Sequence, residues 1–369
     1  MRHLILIILI LIGIVNSTSA QDFFETNLPV EKTEKTLYFK FENISFFKNN
    51  EYESSFVDGY TLTGAWLRPK IIYNPSSKVQ LELGWHYLKY NGADKSTWSN
   101  PWFSALINFT DNFQFIIGNL NNSQNHRLIS PIWEPERFLT DKPEAGFQLL
   151  HNSDKLFFNS WLNWEQFIKK GDPFQEHLTS GISLEYKIFK SEKITFSVPL
   201  QILIHHRGGE IDTSPLKVQT LANAVYGLKS KIPLIGFFQK MNLAGYYVTF
   251  ADSKGNAGLP FEKGNGWFLE GSVKSQIGNF GLSYLNAENF FGIKGKHLLQ
   301  EVPGLNSEFE NITPRKKMFS IYYDLKKEFA NGVVFGTKLE GWFEPELDNF
   351  SNSAAIYLII NQDFLLTQF

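Results

Sequence analysis

Residues Val79–Tyr90 read VQLELGWHYLKY. Val79, Leu81, Leu83, Trp85 and Tyr87 share one parity, and Gln80, Glu82, Gly84, His86 and Leu88 share the other. A period of two places these sets on opposite faces of a β-strand. One face is apolar and ends in aromatics; the other carries an amide, a carboxylate and an imidazole. A soluble sandwich also alternates in this way, so the fold is decided by how often the pattern recurs and how its copies are joined.

The pattern recurs on both sides of this stretch. Thr36–Phe47 and Thr61–Tyr73 precede it. Trp102–Phe109, Phe113–Asn119, Ala145–Leu150, Lys155–Trp164, Thr179–Phe189 and Ile194–His205 follow, and the rhythm runs on to Ser353–Phe364. Tight turns such as Asn74–Ser77, Thr110–Asn112 and Ala330–Gly332 alternate with long polar connections. The count is about sixteen strands, with short turns at one end and long loops at the other, as in an outer-membrane barrel. The expected fold is all-β: a transmembrane antiparallel up-and-down barrel with short periplasmic turns, long extracellular loops and both termini in the periplasm. Pro69 and Pro199 fall within strands and lack a ladder donor, so bulges are expected there.

Composition agrees. The chain has 369 residues, a formal net charge of −2 and no cysteine. Disulfides, thiolate metal sites and a cysteine nucleophile are excluded, and the lack of basic excess argues against nucleic acid as a partner. Beyond residue 20, no run approaches the roughly 18 apolar residues of a spanning helix. Arg2 and His3, the apolar stretch Leu4–Val15, and Thr18-Ser19-Ala20 together read as a signal peptide over residues 1–20. Residues 21–35 read as a polar periplasmic lead-in, and 36–369 as the barrel.

Energetics choose the outward face. A Lys or Arg turned to lipid at mid-membrane costs about 2–4 kcal/mol. Lys40, Glu42, Arg68, Lys70, Glu82, His86, Glu185, Lys187, Glu270, Lys274, Asp324, Lys326, Lys338 and Glu340 are therefore expected to face the lumen. A barrel of this strand number holds an aqueous channel. Tyr73, Tyr87, Trp164, Tyr186, Tyr247, Trp267, Tyr323 and Phe343 are candidates for the interfacial girdles.

The leader, the strand rhythm and the terminal Phe369 resemble the Gram-negative outer-membrane porins. The resemblance implies localisation in the outer membrane, contact with its lipids and lipopolysaccharide, and recognition of Phe369 by the barrel-assembly machinery. It also implies transport of small hydrophilic solutes by passive diffusion, and it is compatible with a homo-oligomer. In porins of this size the loop after the fifth strand folds inward; here that loop is Leu120–Pro143. It carries apolar residues (Leu128, Ile129, Ile132, Trp133) and the charges Arg127, Glu134, Glu136, Arg137 and Asp141. Two placements stand open: a charged constriction facing Arg or Lys of the wall, selecting solutes by sign, or a cap over the rim.

Catalytic motifs are absent. There is no Gly-x-Ser-x-Gly and no His-Glu-x-x-His. His205 and His206 are adjacent on a strand and so point to opposite faces, away from a common metal. His86 beside Glu82 reads as hydrated pore wall. The sequence therefore predicts a channel with no enzymatic activity, cofactor or metal. The alternative is a plugged barrel serving as a structural or accessory subunit of an envelope complex, and a third reading is a hydrolase at the rim.

Overall fold

The computed structural model describes Phe24 and residues 33–54, 57–121, 123–302 and 315–369. Sixteen antiparallel strands close into one barrel, each paired with its neighbours in sequence and the first with the last. They are β1 (Thr36–Glu51), β2 (Tyr60–Ser76), β3 (Val79–Tyr90), β4 (Trp98–Thr110), β5 (Phe113–Asn119), β6 (Ala145–Asn152), β7 (Leu156–Gln166) and β8 (His177–Lys190). The second half comprises β9 (Thr195–Arg207), β10 (Gln219–Pro233), β11 (Phe238–Asp252), β12 (Lys263–Ser275), β13 (Gly278–Glu288), β14 (Arg315–Ala330), β15 (Val333–Glu344) and β16 (Asn349–Gln368). Closure leaves no sheet edge, which is the condition for a sheet to cross a bilayer. The expected signal peptide lies outside the described residues. Phe24, within the expected lead-in, is buried against Phe138 and Tyr357 at ring-centroid distances of 5.4 and 5.1 Å.

The outward face is apolar, with Leu83, Trp85, Phe103, Trp267, Leu282 and Ile321 all exposed. On β3 the opposite parity holds Glu82, His86 and Leu88, all buried. The expected bulges at Pro69 and Pro199 do not form. The β2–β3 register passes from Leu67↔Tyr87 to Lys70↔Gly84 without a shift. The β9–β10 register likewise passes from Leu200↔Tyr226 to Ser197↔Lys229. The ladder skips the bonds that proline cannot make and keeps its alignment, so each proline costs bonds without re-aiming the strand.

The outer half of the barrel is filled. Leu120–Pro143 enters the lumen, and so does the loop after β13. Ile129, Ile132 and Trp133 of the first join Phe290, Phe291, Leu298 and Leu299 of the second in one apolar core with Leu203, Val225, Phe268 and Trp342 of the wall. A second core gathers Ile44, Phe46, Trp66, Leu88 and Tyr357 around Leu139. The loops cross as paired backbone: Trp133 and Lys294 form a parallel bridge, the Glu134 N–H donates to the Lys294 carbonyl at 2.7 Å, and the Lys296 N–H donates to the Ser130 carbonyl at 3.1 Å.

Candidate functional site

The charges expected in the lumen are spread along its height. Near the periplasmic end Lys40 meets Asp363 at 3.2 Å, and Lys187 donates to the Asp154 carbonyl at 2.6 Å. Glu185 pairs with Lys229 at 2.6 Å, Glu270 accepts from the Tyr246 hydroxyl at 2.9 Å, and Asp324 accepts from Asn279 at 2.8 Å. Lys274 stands opposite Lys240, and Lys326 opposite Gly336. Lys338 meets Glu340 at 3.1 Å. Higher on the wall, Lys70 lies between Glu42 at 3.0 Å and Glu82 at 3.1 Å, and the Arg68 guanidinium stacks 4.1 Å from the centre of the Trp102 ring.

Among the described residues the loop charges form their ion pairs elsewhere than with Lys40, Arg68 or Lys70, although Arg137 and Asp141 line one cavity with Arg68. Glu136 takes Lys48, the Tyr60 hydroxyl and the Asn50 amide. Burial alone raises the Glu136 pKa, but Lys48 and these hydrogen bonds hold it below the ordinary carboxylate value. Glu134 pairs with Lys296 of the other loop at 3.5 Å. Arg137 pairs with Asp141 one helical turn on, and Arg127 lies 4.0 Å over the Phe157 ring. The second loop carries a buried carboxyl of its own. The Glu301 pKa is pushed by burial from 4.5 up to about 8, against the backbone hydrogen bonds that lower it. The folded chain keeps this proton to a higher pH than the unfolded chain does. Its stabilising contribution is therefore complete below pH 4.5 and is lost as the pH rises through about 8. Hydrogen exchange at the Asn289 amide, which donates to Glu301 at 2.8 Å, should quicken on the order of tenfold between those limits beyond its intrinsic pH dependence. In Glu301→Gln that excess should vanish; an unchanged excess would reject the assignment.

A cavity of about 260 Å³ remains between the first loop and strands β2–β7. Its walls are Arg68, His86, Trp98 and Trp102 from β2–β4; Asn163 and Glu165 from β7; and Leu120, Trp133, Phe138 and Glu144 among the residues leading into, along and out of the loop. Four polar atoms on these residues are buried and lack a hydrogen-bond partner among the described residues: Arg68 Nε, His86 Nε2, Trp133 Nε1 and Glu144 Oε1. All four residues are buried, at 7%, 3%, 5% and 8% exposure. An unmet buried donor or acceptor costs about 1–3 kcal/mol, and four of them stand on residues of one cavity wall.

Their protonation follows from their neighbours. The Asn159 amide donates to His126 Nδ1 at 3.1 Å, which leaves the proton on Nε2, and that proton goes to Glu144 Oε2 at 2.8 Å. Gln148 in turn fixes Asn159 at 3.1 Å, and Trp161 stacks on the His126 ring at 3.6 Å. This chain of bonds holds Glu144 with one oxygen engaged and the other, Oε1, buried and unpartnered. Across the cavity Arg68 lies 3.5 Å from His86 Nδ1; because arginine only donates, His86 carries its proton on Nε2. The unpartnered atoms on the cavity wall are therefore one carboxylate oxygen and three N–H donors, from Arg68, His86 and Trp133. Among the described residues no three imidazole or carboxylate groups converge as a metal site requires.

Sequence reasoning passed over Glu144, which lies just beyond the loop boundary chosen at Pro143. His126 lies within that loop, where nothing in the sequence sets it apart. The available signal was a carboxylate placed directly before a strand that begins at Ala145, too short a pattern to separate from an ordinary strand end.

The fold and its apolar belt define a Gram-negative outer-membrane β-barrel of the porin type. Among solved structures it is similar to a loop-deletion form of OmpT from Vibrio cholerae, at 10% identity and a TM-score of 0.52, covering 89% of this chain and 99% of that one. It is similar also to OprD from Pseudomonas aeruginosa, at 9% identity and a TM-score of 0.51, covering 91% and 95%. At such identities the likeness is one of fold. The Lipid A 3'-O-deacylase-type family matches residues 29–369, and the chain belongs to that family. No protein with a curated description matches it. The family overturns the expectation of a barrel without enzymatic activity: its name is that of an ester-cleaving reaction on a lipid. The sequence reading went wrong because it searched for contiguous motifs, and this barrel has none.

Proposed function

We propose that the chain is an outer-membrane hydrolase that removes an ester-linked acyl chain from lipid A, with the cavity below the inner loop as its active site. The Glu144 carboxylate, with one oxygen unpartnered and on a cavity wall it shares with His86 and Trp133, carries this reading. Glu144 takes a proton from water as the oxygen of that water attacks the ester carbonyl carbon. The negative charge moves to the carbonyl oxygen, where the His86 and Trp133 N–H groups stabilise it. Collapse expels the sugar alkoxide, which recovers the proton from Glu144, leaving a free fatty acid and an alcohol. His126 is a positioning residue. The height of the site agrees with a lipid ester. His86 pairs with Asn100 across β3–β4, between the aromatics Trp85 and Tyr87, of which Tyr87 is a girdle candidate.

The finer porin reading, passive solute diffusion, has less support, because apolar side chains of both loops pack against the wall in the outer half of the lumen. The test is acyl release from lipid A by the full chain in vesicles, followed by mass spectrometry. Glu144→Gln should lower the rate by about 10²–10⁴, the usual share of a general base. His86→Ala should lower it by about 10²-fold or more, the typical cost of one oxyanion donor. Absence of release by the unaltered chain, or full activity of Glu144→Gln, would reject the assignment.

A further inference from the structure

The barrel wall is cut down beside this cavity. β5 has 7 residues and β6 has 8, whereas β4 has 13 and β7 has 11. A tilted strand needs about 9–11 residues to cross the bilayer, so β5 and β6 stop within it. β4 pairs with β5 only from Ser104 onward, although its other edge pairs with β3 up to Trp98. Two missing strands leave a gap of about three interstrand spacings, or roughly 14 Å. Its floor is the end of the β5–β6 ladder, the pair Asn119 and Ala145 and one further bond from the Leu120 N–H to the Glu144 carbonyl at 2.9 Å. Directly below face Gly118 and Gly146, at φ 99° and 154°. A Cβ on either would run into a backbone carbonyl of the adjoining strand, so only glycine lets both strands end here and the chain turn inward at Leu120.

Side chains finish the corners of the gap in place of strands. Asn119 Oδ1 accepts the Phe103 N–H at 2.9 Å, and Asn163 Oδ1 accepts the Ala145 N–H at 2.9 Å. The height is fixed by β3: outward-facing Trp85 pairs with Pro101, above the Ser104 floor, so the opening begins below the girdle, on the hydrocarbon side. Behind it stand Leu120, Pro143 and Glu144, which also line the cavity.

We propose that an acyl chain of an outer-leaflet lipid enters the cavity sideways through this gap, so that the substrate never leaves the membrane. This rests on the hydrolase reading above, in which Glu144, next to the first residue of β6, meets the ester while the chain trails through the gap into hydrocarbon. The apolar lining at the gap (Leu120, Pro143 and the nearby Trp98) suits a methylene chain. Charged lipid headgroups remain at the interface outside.

The test is photolabelling of the full chain in phosphatidylethanolamine vesicles containing lipid A with a diazirine on its ester-linked acyl chain. It would be run on the unaltered protein and on Glu144→Gln. Label on Trp98, Leu120 and Pro143, about tenfold above label on the lumen-facing Leu203 across the barrel, is the expected result. Label confined to the outward-facing Phe103, Phe147 and Trp164 would overturn lateral entry. Acyl release without label behind the gap would retain the hydrolase and reject the route. Label behind the gap without acyl release would retain the route and reject the hydrolase.

Discussion

Lys48→Met should open the barrel to ions: planar bilayers holding the variant should show stepwise conductance, and the unaltered protein should not. Lys48 and Glu136 form a buried ion pair, with side chains 4% and 7% exposed. Removing one member of such a pair typically costs about 3–5 kcal/mol, because the other charge stays buried without its counter-ion. That cost falls on the inner loop, since Glu136 sits at the start of its helical turn Arg137–Thr140. The remaining anchors nearby are weaker. Trp98 donates to the Thr140 carbonyl at 2.7 Å, Phe138 packs edge-on against Trp66, and the Asn50 amide reaches Glu136 at 3.4 Å. Loop segments unfold locally at less cost than the barrel, so the penalty is met by releasing the loop. Lys48→Met with Glu136→Leu removes both charges and should restore most of the closure. Conductance equal to the unaltered protein in the single variant would show that the pair does not hold the loop. Conductance surviving in the double variant would show that the lost charge was not the cause.

The wall was legible in the sequence because a barrel strand has only two faces, and the cost of a charge in lipid selects between them. Parity separates the two faces of a strand but carries no height. Lys48, one residue beyond the expected strand Thr36–Phe47, lies at the outer end of β1, where the loop reaches, and Arg68 and Lys70 lie lower and are engaged with Glu42 and Glu82. The wall lysine that meets the loop was therefore not among those singled out from the sequence. The second inner loop was recognised only by its length. Its packing depends on Phe290, Phe291, Leu298 and Leu299, whose apolar partners come from several separate strands and from the first inner loop and belong to no repeating pattern. The catalytic constellation was less legible again. Glu144 and His126 are 18 residues apart in sequence, and they meet only because the loop between them turns back into the barrel. Glycine was the one strong local clue left unused: Gly118 and Gly146 sit at the ends of two strands that are conspicuously short.

Gly292→Ala and Gly295→Ala should each separate the two inner loops. Both glycines lie against the Pro131 carbonyl oxygen, and a Cβ on either would fall well inside contact distance of that oxygen. Neither glycine has positive φ, so alanine brings no backbone strain and the effect is steric alone. Overpacking of this kind usually costs about 1–3 kcal/mol, and the obstacle here is backbone, which cannot rotate away as a side chain can. The Glu134 and Lys296 amides report the crossing directly, because they donate across it. Their hydrogen-exchange protection should fall by about 10- to 100-fold, while amides of β9 and β10 keep theirs. Gly271→Ala, which meets only the Leu243 side chain at 3.3 Å, should leave both amides protected. Trp133 links this crossing to catalysis. It forms the bridge to Lys294 and also lines the cavity, with its indole N–H unpartnered among the described residues. If it is an oxyanion donor, parting the loops should slow acyl release along with the loss of protection. Lost protection with unchanged acyl release would remove Trp133 from the reaction and leave the His86 N–H to stabilise the oxyanion alone.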